Sequence, residues 1–240
     1  MSKFGGTLIS ASSDIIADEV EDYCYSNGNC ELSTVEFDQL EIALMVLYRP
    51  SGKNFSLEKF QDIIEKVRTY LSQLRIDKPH FKIVLAGDFN FPREIVRWIR
   101  TDDGMIGDAN PGNDQRKQAY AILSDLAIEF GLEQIVGTPT REDNILDLIY
   151  TDSPEIVTEP KVEILSPITD HNLVTCDIHV KNPTDEKNQQ REVPEIKQFD
   201  FKSRDKDRFA ERLRSIDWLE ALGGIGEIKE ASQRFTDTLV

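Results

Sequence analysis

Apolar positions along this chain follow two rhythms. Thr7-Leu8-Ile9-Ser10 and Cys30 to Phe37 (CELSTVEF) alternate with period two, the pattern of strands with one buried face, and Ser26-Asn27-Gly28-Asn29 between them is a turn signal. Ile42 to Tyr48 is continuously apolar, as a strand buried on both faces should be. Leu57, Phe60, Ile63, Ile64, Val67, Leu71 and Leu74 then recur at helical spacing behind Ser56, which predicts an amphipathic helix with a serine N-cap and Pro79 beyond its end. Phe81 to Ala86 predicts another short buried strand, with Gly87-Asp88-Phe89-Asn90 at its C-terminal end. A second helix is predicted from about Asp114 to Phe130, with Tyr120, Leu123, Leu126, Ala127 and Phe130 facing inward and Gly131 as C-cap. Further strands are predicted at Leu146 to Thr151, Val162 to Leu165 and Asn172 to Val180.

Strands and helices alternate without the regular repeat of a parallel fold. The expected class is therefore α/β, a mixed-sheet β-sandwich flanked by helices, over residues 1–180. Residues 181–200 are polar and proline-containing from Lys181 to Lys197, without periodicity, and read as a linker. Residues 201–240 form a helical C-terminal segment with a stripe through Phe209, Leu213, Ile216 and Leu219. So short a segment builds little core by itself.

Composition narrows the function classes. With 39% hydrophobic residues the chain can bury a core, but its longest apolar run is the seven residues from Ile42, against about 20 for a membrane helix. No membrane partner is expected. The opening Met-Ser-Lys-Phe-Gly-Gly has no secretory pattern, so the expected location is nuclear or cytoplasmic. Cys24, Cys30 and Cys176 have neither zinc-site spacing nor an even count for a disulfide framework. The net charge of −16 excludes nucleic-acid binding through an overall positive field. Most of that charge lies in the first 180 residues, which hold 16 basic and 31 acidic side chains. An acidic surface remains compatible with a divalent-metal site.

Three segments carry candidate chemistry. Asp88 and Asn90 stand two apart just past a buried strand, so both can face one crevice, where a carboxylate and an amide suit holding a water beside a phosphate. Asp-x-Asn after glycine is also ordinary turn chemistry. Thr169-Asp170-His171 opens a strand and offers a metal ligand and an imidazole, or a solvated turn. Asp147 lies inside the apolar Ile145 to Tyr150, where an unpaired carboxylate costs several kcal/mol, so it needs a partner. Tyr48 caps a strand, Arg49 and Arg141 read as surface charges, and Trp98 and Trp218 read as core or docking residues.

In this order the segments resemble the endonuclease/exonuclease/phosphatase superfamily of metal-dependent phosphodiesterases. The likeness rests on Tyr48-Arg49-Pro50, Gly87-Asp88-Phe89-Asn90, Asp147 within Leu146 to Thr151, and Thr169-Asp170-His171. Within that superfamily the Tyr-Arg-Pro form, Thr138-Pro139-Thr140-Arg141 ahead of Asn144 to Asp147, and the segment around Asp217-Trp218 are most similar to the endonuclease of non-LTR (LINE-type) retrotransposons. The resemblance implies a DNA-nicking phosphodiester hydrolase. Tyr48 would bond the scissile phosphate, Asp88 would orient or deprotonate the attacking water, and Asn90 would steady the same oxygens. Asp147 would pair with a cationic His171, and Asp170 would ligate the metal. Magnesium is the implied ion, with manganese as its substitute. Thr138 and Thr140 would line a DNA groove, or form a plain loop.

The resemblance also implies parts that lie before Gly5-Gly6 in the family: a strand ending in an Asn, a helix, and a strand ending in a metal-binding Glu. Four residues precede Gly5 here, too few for a strand and helix at roughly 3.3 Å per residue. Glu19 and Glu21 come in the wrong order to replace them. The expectation is thus an N-terminally truncated domain, missing its first strands, with an endonuclease site impaired by the loss of that Asn and Glu. The alternatives are a catalytically inactive remnant acting at most as a binding module, and a relative acting on small phosphoesters or phospholipids.

Overall fold

Strands β3 (Glu31–Phe37) and β4 (Ile42–Tyr48) form an antiparallel pair in full seven-residue register. A single 3-10 turn, Asp38–Leu40, joins them, and Glu41 closes it in the left-handed conformation at φ 54°. The computed structural model describes residues 6–180 apart from 28–29, 53–54, 102–103, 110–111 and 165–168. The predicted linker at 181–200 and the helical segment at 201–240, Trp218 included, lie outside the described residues.

From β4 the chain crosses through helix α1 (Leu57–Asp77) into β5 (Lys82–Asp88), which runs parallel to β4. Ser56 caps α1 by accepting a hydrogen bond from the Lys59 amide at 3.4 Å. A hairpin of β6 (Arg97–Thr101) and β7 (Gly104–Asp108) follows, then helix α2 (Gln115–Phe130), capped by Asp114 and ended by Gly131 at φ 65°. Strands β8 (Glu133–Gln134) and β9 (Asp147–Thr151) return to the sheet, β9 antiparallel to β5. Two short strands, β1 (Asp18–Glu19) and β2 (Tyr25–Ser26), both pair with β3. The sheet order is β1-β3-β4-β5-β9-β8-β7-β6, with β2 also on β3. β10 (Lys161–Glu163) and β11 (Leu173–Thr175) make a separate two-stranded sheet. The architecture is the expected α/β class: a large mixed sheet flanked by two helices.

Strand alternation decides which side chains meet the helices. Leu32, Ala43, Met45, Leu47, Ile83, Leu85, Leu148 and Tyr150 share one buried cluster with Phe60, Ile63, Ile64, Val67 and Leu71 of α1 and Leu123 and Leu126 of α2. Each such side chain stabilises the fold by roughly 1.5–3 kcal/mol relative to exposure. Edge-to-face rings run from α1 through the segment after β5 to α2 and β6: Phe60 to Phe91 at 6.2 Å, Phe91 to Tyr120 at 5.6 Å and Trp98 to Tyr120 at 5.9 Å. Trp98 is thereby packed against the core. By the same period of two, Tyr48, Asp88 and Asp147 belong to the opposite face.

Two expectations change. Thr7 to Ser10 is not a strand: β1 and β2 occupy the free edge of β3, and Thr7 is tied to that strand by side chains instead. Its amide donates to Glu31 Oε2 at 3.1 Å, and its hydroxyl bonds Ser33 Oγ at 2.7 Å. The predicted strand from Asn172 to Val180 is regular only at Leu173–Thr175, after which Ile178 makes an isolated bridge to Val157.

Candidate active site

The neighbouring strands β4, β5 and β9 place Tyr48, Asp88 and Asp147 in one row, with Tyr48 opposite Asp88 and Asp88 opposite Asp147. The row sits where parallel β4 and β5 both end, so loops can close over it. Thr140 prepares the third position. Its side chain is fully buried, and its hydroxyl accepts from the amides of Leu146 at 3.0 Å and Asp147 at 3.1 Å. Its carbonyl accepts from the Asn172 amide at 2.7 Å, tying the chain next to His171 to the same point. The ring completes the arrangement, with His171 Nδ1 2.8 Å from Asp147 Oδ2. The half-buried acid therefore has the partner that its apolar neighbours in the strand demand.

Asp88, Asp147 and His171 each present a ligand atom, and all three atoms lie within 4.8 Å of one another. Two facing carboxylates repel. Burial, then the charge of Asp147, push the Asp88 carboxyl up from 3.8 to about 6, while His171 pulls the other way. A divalent cation would relieve that repulsion, and two carboxylate oxygens with one imidazole nitrogen suit such an ion.

Asn90 lies against Asp88. Its backbone amide donates to Asp88 Oδ1 at 3.1 Å and its carboxamide to Asp88 Oδ2 at 2.7 Å. It adopts φ 50°, a left-handed conformation that asparagine tolerates better than most residues. Gly87 stands at φ 142°, and a Cβ there would meet the Leu47 carbonyl oxygen at 1.9 Å, so β5 approaches β4 closely only because residue 87 is glycine.

Asp170 is placed differently from the trio. It is exposed, and its carboxylate pairs with the Arg141 guanidinium at 2.6 Å. The reading of Arg49 as a surface charge is overturned, since it is only 1% exposed. Its guanidinium lies 4.3 Å from the Phe91 ring centroid and 4.6 Å from that of Phe55, donating to the carbonyls of Phe89 and Asn90. Burial lowers its pKa to about 10. Thr140, read as groove-lining or plain loop, is an internal bonding point, whereas Thr138 is exposed. The sequence signal for Thr140 was only its place seven residues before Asp147.

No known protein family matches the chain by sequence, and no curated protein does. The fold is similar to that of two solved endonucleases. One is the endonuclease domain of TRAS1, a telomere-specific non-LTR retrotransposon, at 13% identity and TM-score 0.44, covering 70% of this chain and 68% of that one. The other is the AP endonuclease LMAP from Leishmania major, at 11% identity and TM-score 0.44, covering 70% of this chain and 62% of that one.

Proposed function

We propose that this chain is a metal-dependent phosphodiester hydrolase, a DNA-nicking endonuclease of retrotransposon type. The observation that carries the reading is the convergence of Asp88, Asp147 and His171, with Tyr48 in register beside them. Asp88 faces Asp147 across neighbouring strands, which suits its carboxylate to orient an attacking water. Asn90 holds both Asp88 oxygens, one through its backbone amide and one through its carboxamide, and leaves the carboxylate little rotational freedom. Asp147 fixes the ring of His171 by accepting from Nδ1–H, so the neutral ring presents Nε2 as a ligand atom. Tyr48 is the hydroxyl for a phosphate oxygen.

A magnesium or manganese ion, when bound, would neutralise phosphate charge and polarise the ester. Asp88, Asp147 and His171 would hold it. Asp170 would be a further ligand only if its carboxylate left the Arg141 ion pair. A chain of net charge −16 attracts no DNA by its overall field, so a bound cation would supply positive charge locally, at the site itself.

The Arg141–Asp170 pair is also the observation that favours a second reading, an inactive domain that binds without cleaving. Nicking of supercoiled plasmid separates the two. Conversion to open circles with Mg²⁺ or Mn²⁺, suppressed by EDTA and lost in Asp88→Ala, supports hydrolysis. Unchanged plasmid with either ion supports the inactive reading. Nicking that persists in Asp88→Ala refutes the site.

A further inference from the structure

Among the described residues, Arg49 is the one charged side chain buried in the core. A guanidinium without a contacting carboxylate is costly to bury. A hydrocarbon chain would fill the space between Phe55 and Phe91 without that cost, so packing alone does not account for the charge. A hydrocarbon cannot hold carbonyls. Arg49 Nε–H donates to the Phe89 carbonyl and Nη2–H to the Asn90 carbonyl, two acceptors in the segment leaving β5. The arrangement is reciprocal: Asn90 Nδ2 donates back to the Arg49 carbonyl at 2.7 Å, and the Arg49 amide donates to the Asp88 carbonyl at 2.9 Å. The Asn90 carboxamide that closes this loop is the group that also holds Asp88 Oδ2.

We infer that Arg49 is a positioning residue for Asp88. Its planar fork fixes Asn90 in the left-handed conformation, and the Asn90 carboxamide in turn fixes the Asp88 carboxylate facing Asp147. Lysine keeps the charge but has no fork with which to hold two carbonyls at once. The catalytic consequence rests on the phosphodiesterase reading above; the clamp itself does not.

The test follows hydrogen exchange of the Asn90 side-chain amide by NMR in the wild type, Arg49→Lys and Arg49→Met. Leu126→Ala, in the helical core, serves as the destabilised control. Exchange should accelerate about tenfold or more in both Arg49 variants but not in the control, the scale of losing one charge-assisted hydrogen bond. Nicking kcat should fall by a similar factor with little change in KM. Equal exchange in folded Arg49→Lys and the control would overturn the inference. Should neither Arg49 variant fold, exchange of Arg49 Nε–H in the wild type decides: protection supports the clamp, and exchange at the solvent rate overturns it. A wild type without nicking activity that still shows the Asn90 effect would remove the functional reading and leave the clamp standing.

Discussion

Replacing Asp88 with asparagine should raise stability at neutral pH while abolishing hydrolysis, and the gain should depend on pH in a defined way. The folded-state pKa of Asp88, about 6, lies above its ordinary value of 3.8, so the ionised carboxylate opposes folding. That penalty is absent below about pH 4, grows between pH 4 and 6, and is complete above pH 6. A shift of about two units at about 1.4 kcal/mol per unit makes it roughly 3 kcal/mol. Asparagine carries no charge but has one acceptor oxygen where Asp88 offers two, to the Asn90 amide and the Asn90 carboxamide. That loss costs about 1 kcal/mol at every pH. The variant should therefore be about 2 kcal/mol more stable than the wild type at pH 8 and about 1 kcal/mol less stable at pH 4. Urea unfolding in EDTA across this range measures both limits. A stability difference that stays constant with pH would refute the reasoning, because it would mean that the Asp88 carboxyl ionises alike in the folded and unfolded chain.

Other outcomes follow from the same geometry. Thr140→Val keeps the side-chain shape but strips the acceptor from the Leu146 and Asp147 amides, so urea unfolding should show a loss of about 2–4 kcal/mol and nicking should fall as Asp147 loses its position. Gly87→Ala should yield little soluble protein, since its Cβ would overlap the Leu47 carbonyl at a φ of 142°; recovery of wild-type stability would contradict the close approach of β5 to β4. Ser56→Ala should cost about 1 kcal/mol through the lost α1 cap, with cation binding unchanged by calorimetry.

The elements that carry the site were legible because their burial is one-sided or complete. The strands β3, β4, β5 and β9 and both helices have runs of apolar residues at the spacing their geometry requires. The hairpin β6–β7 was not legible. Its Ile99 and Ile106 are cross-strand partners and exposed at 43% and 58%, whereas the inward positions are Trp98 and a glycine, so the outward face has the more regular apolar signal. Asp147 could be singled out because a carboxylate inside an apolar strand demands a partner. Arg49 was misread because its environment comes from Phe55 and Phe91, the second of them 42 residues away, and no local pattern announces that an arginine will lie between two rings. Asp170 and His171 are adjacent in the chain but point to different partners, Arg141 and Asp147, a division that dipeptide chemistry does not specify.

Together, Asp88, Asp147 and His171 are proposed to hold a divalent cation. Anomalous scattering from crystals soaked in Mn²⁺ decides whether they do. One manganese peak is expected within bonding distance of all three side chains, and it should be lost in Asp147→Asn. Manganese bound elsewhere while these three side chains remain without it would contradict the claim.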